Sequence, residues 1–390
     1  MAWRRLLTRA RRIATGSGLA EFRRAIGLMS GTSLDGVDVA LITTDGKRIA
    51  SFGPARTYPY EEADRTLLRH ASRDALTLAD RDARPGVLAQ VEALVTLRHA
   101  EAVEAFMRDA GLSRNDVDVI GFHGQTVFHD PGRALTVQIG DGQSLADRLS
   151  IPVVWDMRAA DVAAGGQGAP LAPVFHRALA ETAGLSGPVL FLNLGGVANV
   201  TWVGPEGELV AFDTGPGNGL LDDWTMARRG EPYDSDGRLA AGGTPAAEIL
   251  EHLLGHPYFE LPPPKSLDRN TFSPAALSGL SDADGAATLL HFTARSIAAS
   301  FRLLPSSPRA CYASGGGRRN GELMRVLGEV LGAPVEPLET LGFDGDATEA
   351  QAFGFLAVRA ADGLPLTFPL TTGVAEPLPG GKLSKPQQHG

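Results

Sequence analysis

Apolar residues in this chain fall in short runs separated by glycine-rich turns, and the pattern begins at Ala25. Residues 25–29 are apolar, 30–36 are polar and contain two glycines, and 37–42 are apolar again. A run, a turn and a returning run predict two strands joined by a tight loop. A third extended stretch is expected over 48–58. Across 87–107, Val87, Val91, Leu94, Val95, Leu97, Val103 and Phe106 recur at helical spacing. Short apolar runs at 117–122, 135–139 and 152–155 predict further strands, so strands come first and then alternate with helix.

The same order then starts again. Residues 189–194 are apolar, Gly195 and Gly196 form a turn, 197–203 are extended, and 209–212 form a third strand before a helix-like stretch over 217–229. Helices are expected over 286–304, 320–331 and 348–361, with a strand at 310–313. The fold class predicted is α/β, with two lobes of like architecture, mixed sheets flanked by helices, and a cleft between the lobes. The expected divisions are a basic extension (1–24), a first lobe (25–165), a second lobe (166–375) and a tail (376–390). Small residues over 163–170 would supply the hinge, and the polar stretch beyond Gly380 is expected to be disordered.

Composition narrows the class. Of 390 residues, 43% are hydrophobic and 21% charged, which suits large buried cores. Cys311 is the only cysteine, so an internal disulfide and a cysteine zinc site are excluded and a reducing compartment, the cytoplasm, is the expected location. No apolar run approaches the ~20 residues needed to cross a bilayer. Residues 1–24 carry Arg4, Arg5, Arg9, Arg11, Arg12, Arg23 and Arg24 against Glu21. That segment reads as a loose tail or an overextended start, with a surface-seeking helix or transit-like segment as the other reading. The chain's net charge is −9, and the basic start leaves the rest more acidic still, which argues against nucleic acid as a partner. Nothing in the sequence sets the oligomeric state, a homodimer being one admissible assembly.

Three glycine turns and one acid carry the candidate chemistry. Gly31-Thr32-Ser33-Leu34-Asp35-Gly36-Val37-Asp38 offers backbone N–H groups and hydroxyls to phosphate oxygens, with Asp35 available to a hydrated Mg²⁺; a plain polar hairpin is the alternative. No lysine follows, so it is not a Walker loop. Gly195 and Gly196, with Asn199 beyond them, take the corresponding place in the second half, and Gly315, Gly316 and Gly317 lie between a strand and a helix, where a nucleotide could approach the backbone. Asp213 is expected to end the third strand of the second half, with Thr214-Gly215-Pro216-Gly217-Asn218 as a tight turn after it. There it could act as a general base or merely cap a turn. His123 and His129, six apart, lack a completing carboxylate pattern for a metal, so His123, Gln125 and Thr126 at a strand end suit sugar hydroxyls better. Arg158 is either a carboxylate fork or a surface ion pair. Glu349 reads on its own as a first-turn acid favoured by the helix dipole.

Taken together, Ile26 to Asp38, His123 to Thr126, Thr136 to Gly140, Asp161 to Leu171, Phe212 to Asn218 and Glu349 to Phe353 resemble the anhydro-N-acetylmuramic acid kinase family over about residues 25–375. The resemblance implies the actin-like (ribonuclease H-like) sugar kinase fold and the conversion of 1,6-anhydro-N-acetylmuramic acid, ATP and water to N-acetylmuramic acid 6-phosphate and ADP in cell-wall recycling. It makes Asp213 the base that activates water. It assigns phosphate to Gly31 through Asp38 and the rest of the nucleotide to Gly195, Gly196 and Gly315 to Gly317, and it gives Thr126 and Glu349 to the sugar. Ala159 and Ala160 stand where some relatives carry basic residues. The rival readings are another phosphotransferase or phosphatase of the same superfamily and an actin- or chaperone-like ATPase that binds no sugar.

Overall fold

The computed structural model describes residues 21–31 and 33–387, so Thr32 and most of the basic extension lie outside the described residues. The chain forms two units. The first runs to Thr182 and takes in Glu349–Pro369 and the chain from Gly373 onward; the second comprises Ala183–Thr348 and Leu370–Thr372.

In chain order the first unit contains β1 (Arg23–Met29), β2 (Gly36–Thr44), β3 (Ile49–Pro59), α1 (Glu62–Asp74), α2 (Leu88–Asp109), β4 (Val119–Phe122), β5 (Gln125–Asp130), β6 (Leu135–Ile139), α3 (Gly142–Leu149), β7 (Val153–Trp155), α4 (Ala159–Ala163) and α5 (Pro173–Thr182). The second contains β8 (Val189–Leu194), β9 (Val197–Val203), β10 (Leu209–Pro216), α6 (Gly219–Arg229), α7 (Arg238–Ala241), α8 (Ala247–Leu254), α9 (Asp282–Ser300), β11 (Ala310–Ser314), α10 (Gly321–Leu331) and β12 (Val335–Pro337). The chain then continues through α11 (Thr348–Ala361) and α12 (Pro369–Thr372) to β13 (Lys382–Ser384).

The repeat expected from the sequence is a repeat of topology. The first sheet has the order β13-β7-β4-β1-β2-β3 and the second β10-β9-β8-β11-β12. In the first, β1, β2 and β3 form an antiparallel meander, and β4 and β7 add in parallel beyond β1. In the second, β8, β9 and β10 form the meander, and β11 and β12 add in parallel beyond β8. Setting β13 aside, strand order and polarity are the same in both, the ribonuclease H-like arrangement. Each sheet packs its own core. Ile26, Leu28, Val39, Val91, Val95, Phe106, Ile120 and Phe122 are buried in the first unit, and Leu190, Leu192, Val200, Phe212, Phe292 and Val326 in the second.

The structure refines or corrects several of the expected boundaries and elements. The first unit extends past 165 to Thr182, because α5 packs with it, the Phe175 ring lying tilted 5.5 Å from that of Phe355 of α11. Helix α11 belongs to the first unit rather than the second: a Cβ on Gly27 of β1 would stand 1.7 Å from the Ala350 carbonyl oxygen, and one on Gly121 of β4 would stand 2.0 Å from that of Phe353. Only glycine permits so close an approach of helix to sheet. Residues 135–139 do form a strand, but it pairs with β5 as a separate two-stranded ribbon. The polar tail is ordered as far as it is described, since Lys382–Ser384 pairs antiparallel with β7 and Gln387 N donates to Asp147 Oδ1 at 2.7 Å. The basic extension is also shorter than expected, with Arg23 and Arg24 already in β1 opposite Thr44 and Thr43.

Candidate active site

The first glycine turn joins β1 to β2 as predicted, with Val37 and Asp38 inside β2. Leu34 holds a left-handed backbone (φ 58°) and its N–H donates to Gly31 O at 3.3 Å. A non-glycine residue in that region costs on the order of 1 kcal/mol, which burial of the Leu34 side chain offsets. Two hydrogen bonds hold the turn against the start of β5: Ser30 Oγ donates to Gly124 O at 2.8 Å, and Gln125 Nε2 donates to Gly31 O at 3.2 Å. Gln125 thus spends its amide nitrogen on the turn, while its buried Oε1 has no hydrogen-bond partner among the described residues. Ser33 and Asp35 are exposed.

Beside the turn, a polar knot ties His123 to Arg158. Burial and the Arg158 charge push His123 down to about 3, so the ring is neutral at physiological pH. Its Nδ1–H donates to Gly124 O at 2.7 Å, which leaves Nε2 to accept from Arg158 Nη2 at 3.3 Å. Arg158 Nη1 donates to Gly168 O at 2.8 Å, and Asp161 Oδ1 accepts from Gly168 N at 2.6 Å. Of the two readings of Arg158, the surface ion pair is not the one found. Gly168, within the stretch expected to form a hinge, is held by these bonds. Thr126 is half-buried on β5, and His129 Nδ1 meets Thr136 Oγ1 at 3.0 Å. Among the described residues, no group of three or more His, Cys, Asp or Glu could hold a metal. Glu349 lies exposed in the first turn of α11; desolvation and the Asp38 charge raise its pKa against the pull of Arg158.

In the second unit, Asp213 lies inside β10 rather than at its end, since the strand continues to Pro216 with a register shift between Asp213 and Gly215. That irregularity re-aims a side chain. Asp213 pairs with Asn199, which pairs with Asn193. These three half-buried polar residues form a row across strands whose neighbours Leu192, Leu194, Val200 and Phe212 are buried. Asn199 is the third residue of β9, as Asp38 is of β2, so the duplicated topology puts the two in equivalent places. Leu267 N donates to Asp213 Oδ2 at 2.8 Å, and Oδ1 has no hydrogen-bond partner among the described residues. Desolvation pushes Asp213 up to about 7 against the Leu267 N–H and the Lys265 charge.

The glycines differ in what the fold asks of them. Gly315 (φ 77°) and Gly317 are required by packing, because a Cβ would stand 2.4 Å from Asn193 Oδ1 in one case and 2.6 Å from Leu194 Cβ in the other. Arg318, which follows them, is fixed by Glu339 at 2.6 Å and Asp346 at 2.9 Å. A Cβ on Gly316 would meet nothing within 4 Å, and one on Gly196 only the Arg269 Cδ at 4.0 Å. Gly195 is nearly as open, with Val197 O at 3.4 Å. The carbonyls of the Gly195–Gly196 turn accept from Asn218 N and Gly217 N at 2.8 and 3.0 Å, fixing it on the start of α6. Bare backbone that the fold does not need at Gly196 suits a ligand approaching it. Gly196→Val is therefore expected to leave the thermal midpoint near wild type and weaken nucleotide binding by about tenfold or more, roughly 1.4 kcal/mol. Calorimetric titration with ATP checks this, and wild-type affinity would make the turn purely structural.

Sequence reasoning missed the partners of Asp213. Tyr258, Lys265 and Leu267 lie in an irregular proline-rich segment with no periodicity to mark them. It also missed the tie of Gln125 to the first glycine turn, which no local pattern announces.

A family model described as anhydro-N-acetylmuramic acid kinase matches residues 23–384. Anhydro-N-acetylmuramic acid kinase of Rhodopseudomonas palustris (strain ATCC BAA-98 / CGA009) is 57% identical over 363 residues, 93% of this chain and 99% of the relative. The enzyme of the same name from Nitrobacter winogradskyi is 54% identical with the same coverage, and that from Methylobacterium nodulans is 53% identical over 93% of this chain and 100% of the relative. With a match from β1 to β13 and relatives more than half identical over nearly their whole length, the chain belongs to the anhydro-N-acetylmuramic acid kinase family.

Proposed function

We propose that Asp213 is the general base of an ATP-dependent kinase that opens 1,6-anhydro-N-acetylmuramic acid with water and phosphorylates it to N-acetylmuramic acid 6-phosphate. The protein is an ATP-dependent anhydro-sugar kinase of peptidoglycan recycling, as its family is. In this reading Asp213 takes a proton from water as the water oxygen bonds to the anomeric carbon. The C1–O6 bond breaks, and the freed O6 attacks the γ-phosphorus, expelling ADP. The observation that carries the role is the carboxyl itself: one oxygen is held by Leu267 N–H, the other is free to accept, and its pKa is near neutrality. A base works best when its pKa lies close to the working pH.

The same reading gives the remaining residues their proposed roles. Gly31, Ser33, Leu34, Gly36 and Val37 serve as the phosphate turn, a role the resemblance extends to Thr32, and Gly195, Gly196, Asn199 and the 315–317 turn serve the rest of the nucleotide. His123, Gln125, Thr126, Arg158 and Glu349 hold the sugar. The orphaned Gln125 Oε1 is suited to a substrate N–H or O–H, and the Arg158 guanidinium to a carboxylate. Asp35 fits a hydrated Mg²⁺: it is exposed and its carboxylate has no partner among the described residues, which suits an ion that keeps most of its waters. When bound, Mg²⁺ supplies charge neutralisation to the transferring phosphoryl group. Asp38 is tied to Thr57 Oγ1 in β3 and orients the floor of the turn. No helix among the described residues is long and apolar enough to cross a membrane, and the cytoplasm, where ATP is made available, is the proposed location.

Purified protein should release ADP only when anhydro-N-acetylmuramic acid is present, measured by a coupled ADP assay. ADP release indifferent to that sugar but stimulated by another would replace the named substrate.

A further inference from the structure

β10 is an edge strand, so the outward backbone groups of Asp213 have no sheet neighbour on that side. One segment satisfies them. Asp213 N donates to Lys265 O at 3.0 Å, and Tyr258 Oη donates to Asp213 O at 2.6 Å. The same segment holds the carboxyl through Leu267 N. Lys265 Nζ then donates to Tyr258 O at 3.0 Å, which joins the two ends of the clamp. The ammonium is buried, stands 4.5 Å from the Tyr258 ring centroid and 5.8 Å from that of Phe212, and hydrogen-bonds to no carboxylate among the described residues. A lysine held among aromatic faces beside a carboxyl is a costly arrangement for mere packing.

We propose that Lys265 is a positioning residue for Asp213: its side chain closes the clamp on the Asp213 peptide, and its charge keeps the neighbouring carboxyl in the form that accepts a proton. The proposal rests on Asp213 being the base. The charged and titratable groups around the pair are Tyr258, whose ionisation is suppressed by burial and by Asp213, and Arg302 and Glu260, which act on Lys265 with opposite sign. Burial and Arg302 bring Lys265 down to about 8, so it remains largely protonated at neutral pH. Loss of that cation makes the ionised carboxyl less favourable, raises its pKa and moves the acidic limb of activity to higher pH.

The test is the pH dependence of kcat/KM in the full-length enzyme. Lys265→Gln keeps a donor for Tyr258 O but removes the charge, and the acidic limb should move up by about half a unit to one unit. Lys265→Met should show the same shift with a lower plateau, and Lys265→Arg should restore the wild-type limb. Tyr258→Phe should lower the plateau without moving the limb. A Gln variant with the wild-type limb overturns the proposal, even if its rate falls, because a structural role alone lowers the plateau only. Asp213→Asn run beside it separates the two claims: full activity there would sink the base assignment itself, whereas an inactive Asn variant with an unshifted Gln variant would sink only the role of Lys265.

Discussion

Asp213→Asn is expected to lower turnover at least about 100-fold while leaving ATP affinity and the fold intact. The amide fits the same space and its oxygen can still accept from Leu267 N–H, so the clamp from Tyr258 and Lys265 has no reason to open. What is lost is the basic oxygen. The carboxyl's raised pKa means that its ionised form is disfavoured in the folded protein relative to the unfolded chain, so at pH values above its ordinary range it works against stability. Removing it should leave the thermal midpoint at neutral pH unchanged or slightly raised. In the wild type, kcat/KM should fall as pH drops through about 7 and the base takes up a proton. The residual activity of the Asn variant should lack that limb. Steady-state assays across pH 5.5 to 8.5 read both effects, and an Asn variant with wild-type turnover would take Asp213 out of the mechanism.

The repeated half was legible because its signals are local. A run, a glycine pair and a returning run at 189–203 are a hairpin wherever they occur, and the limits of β8, β9 and α11 follow directly from such patterns. Helix α1 was not legible: only Asp64, Leu68 and Ala71 of its 13 residues are buried, too thin a stripe to stand out. The partners of Asp213 were hidden for a different reason. Tyr258 and Leu267 reach it from 45 and 54 residues away through an aperiodic segment, and such pairing is decided by tertiary packing. Strand β13 was misread because three residues of a polar tail carry no core signal; their place is set by the open edge of β7, with Trp155 Nε1 donating to Ser384 Oγ at 3.1 Å. Glycines were the most informative single letters, but only the structure separates those the fold requires, Gly315 and Gly317, from those it leaves bare, Gly196 and Gly316.

Gly27→Val should be the most damaging single change to the fold. Valine is the better strand former, so on propensity alone the substitution would strengthen β1. Gly27, however, is the register partner of Gly121 on β4, and α11 lies across the two glycines. A Cβ at Gly27 would stand 1.7 Å from Ala350 O and 2.5 Å from Gly354 N, both backbone atoms that no rotamer change can move. Relief requires α11 to lift from the sheet, and with it Phe353, Phe355 and Leu356 would lose their burial. Overpacking of this kind costs about 3 kcal/mol or more, a large share of the roughly 5–15 kcal/mol that holds a domain together. Urea unfolding should show the midpoint well below wild type or no soluble protein at all. Gly316→Ala, whose Cβ meets nothing within 4 Å, is the matched control and should lie within about 0.5 kcal/mol of wild type. In whatever fraction of Gly27→Val folds, Glu349 at the head of α11 is displaced from Asp38 and Arg158, so KM for the sugar should rise more than KM for ATP. A Val variant with the wild-type midpoint would show that α11 is not seated on β1 through these glycines.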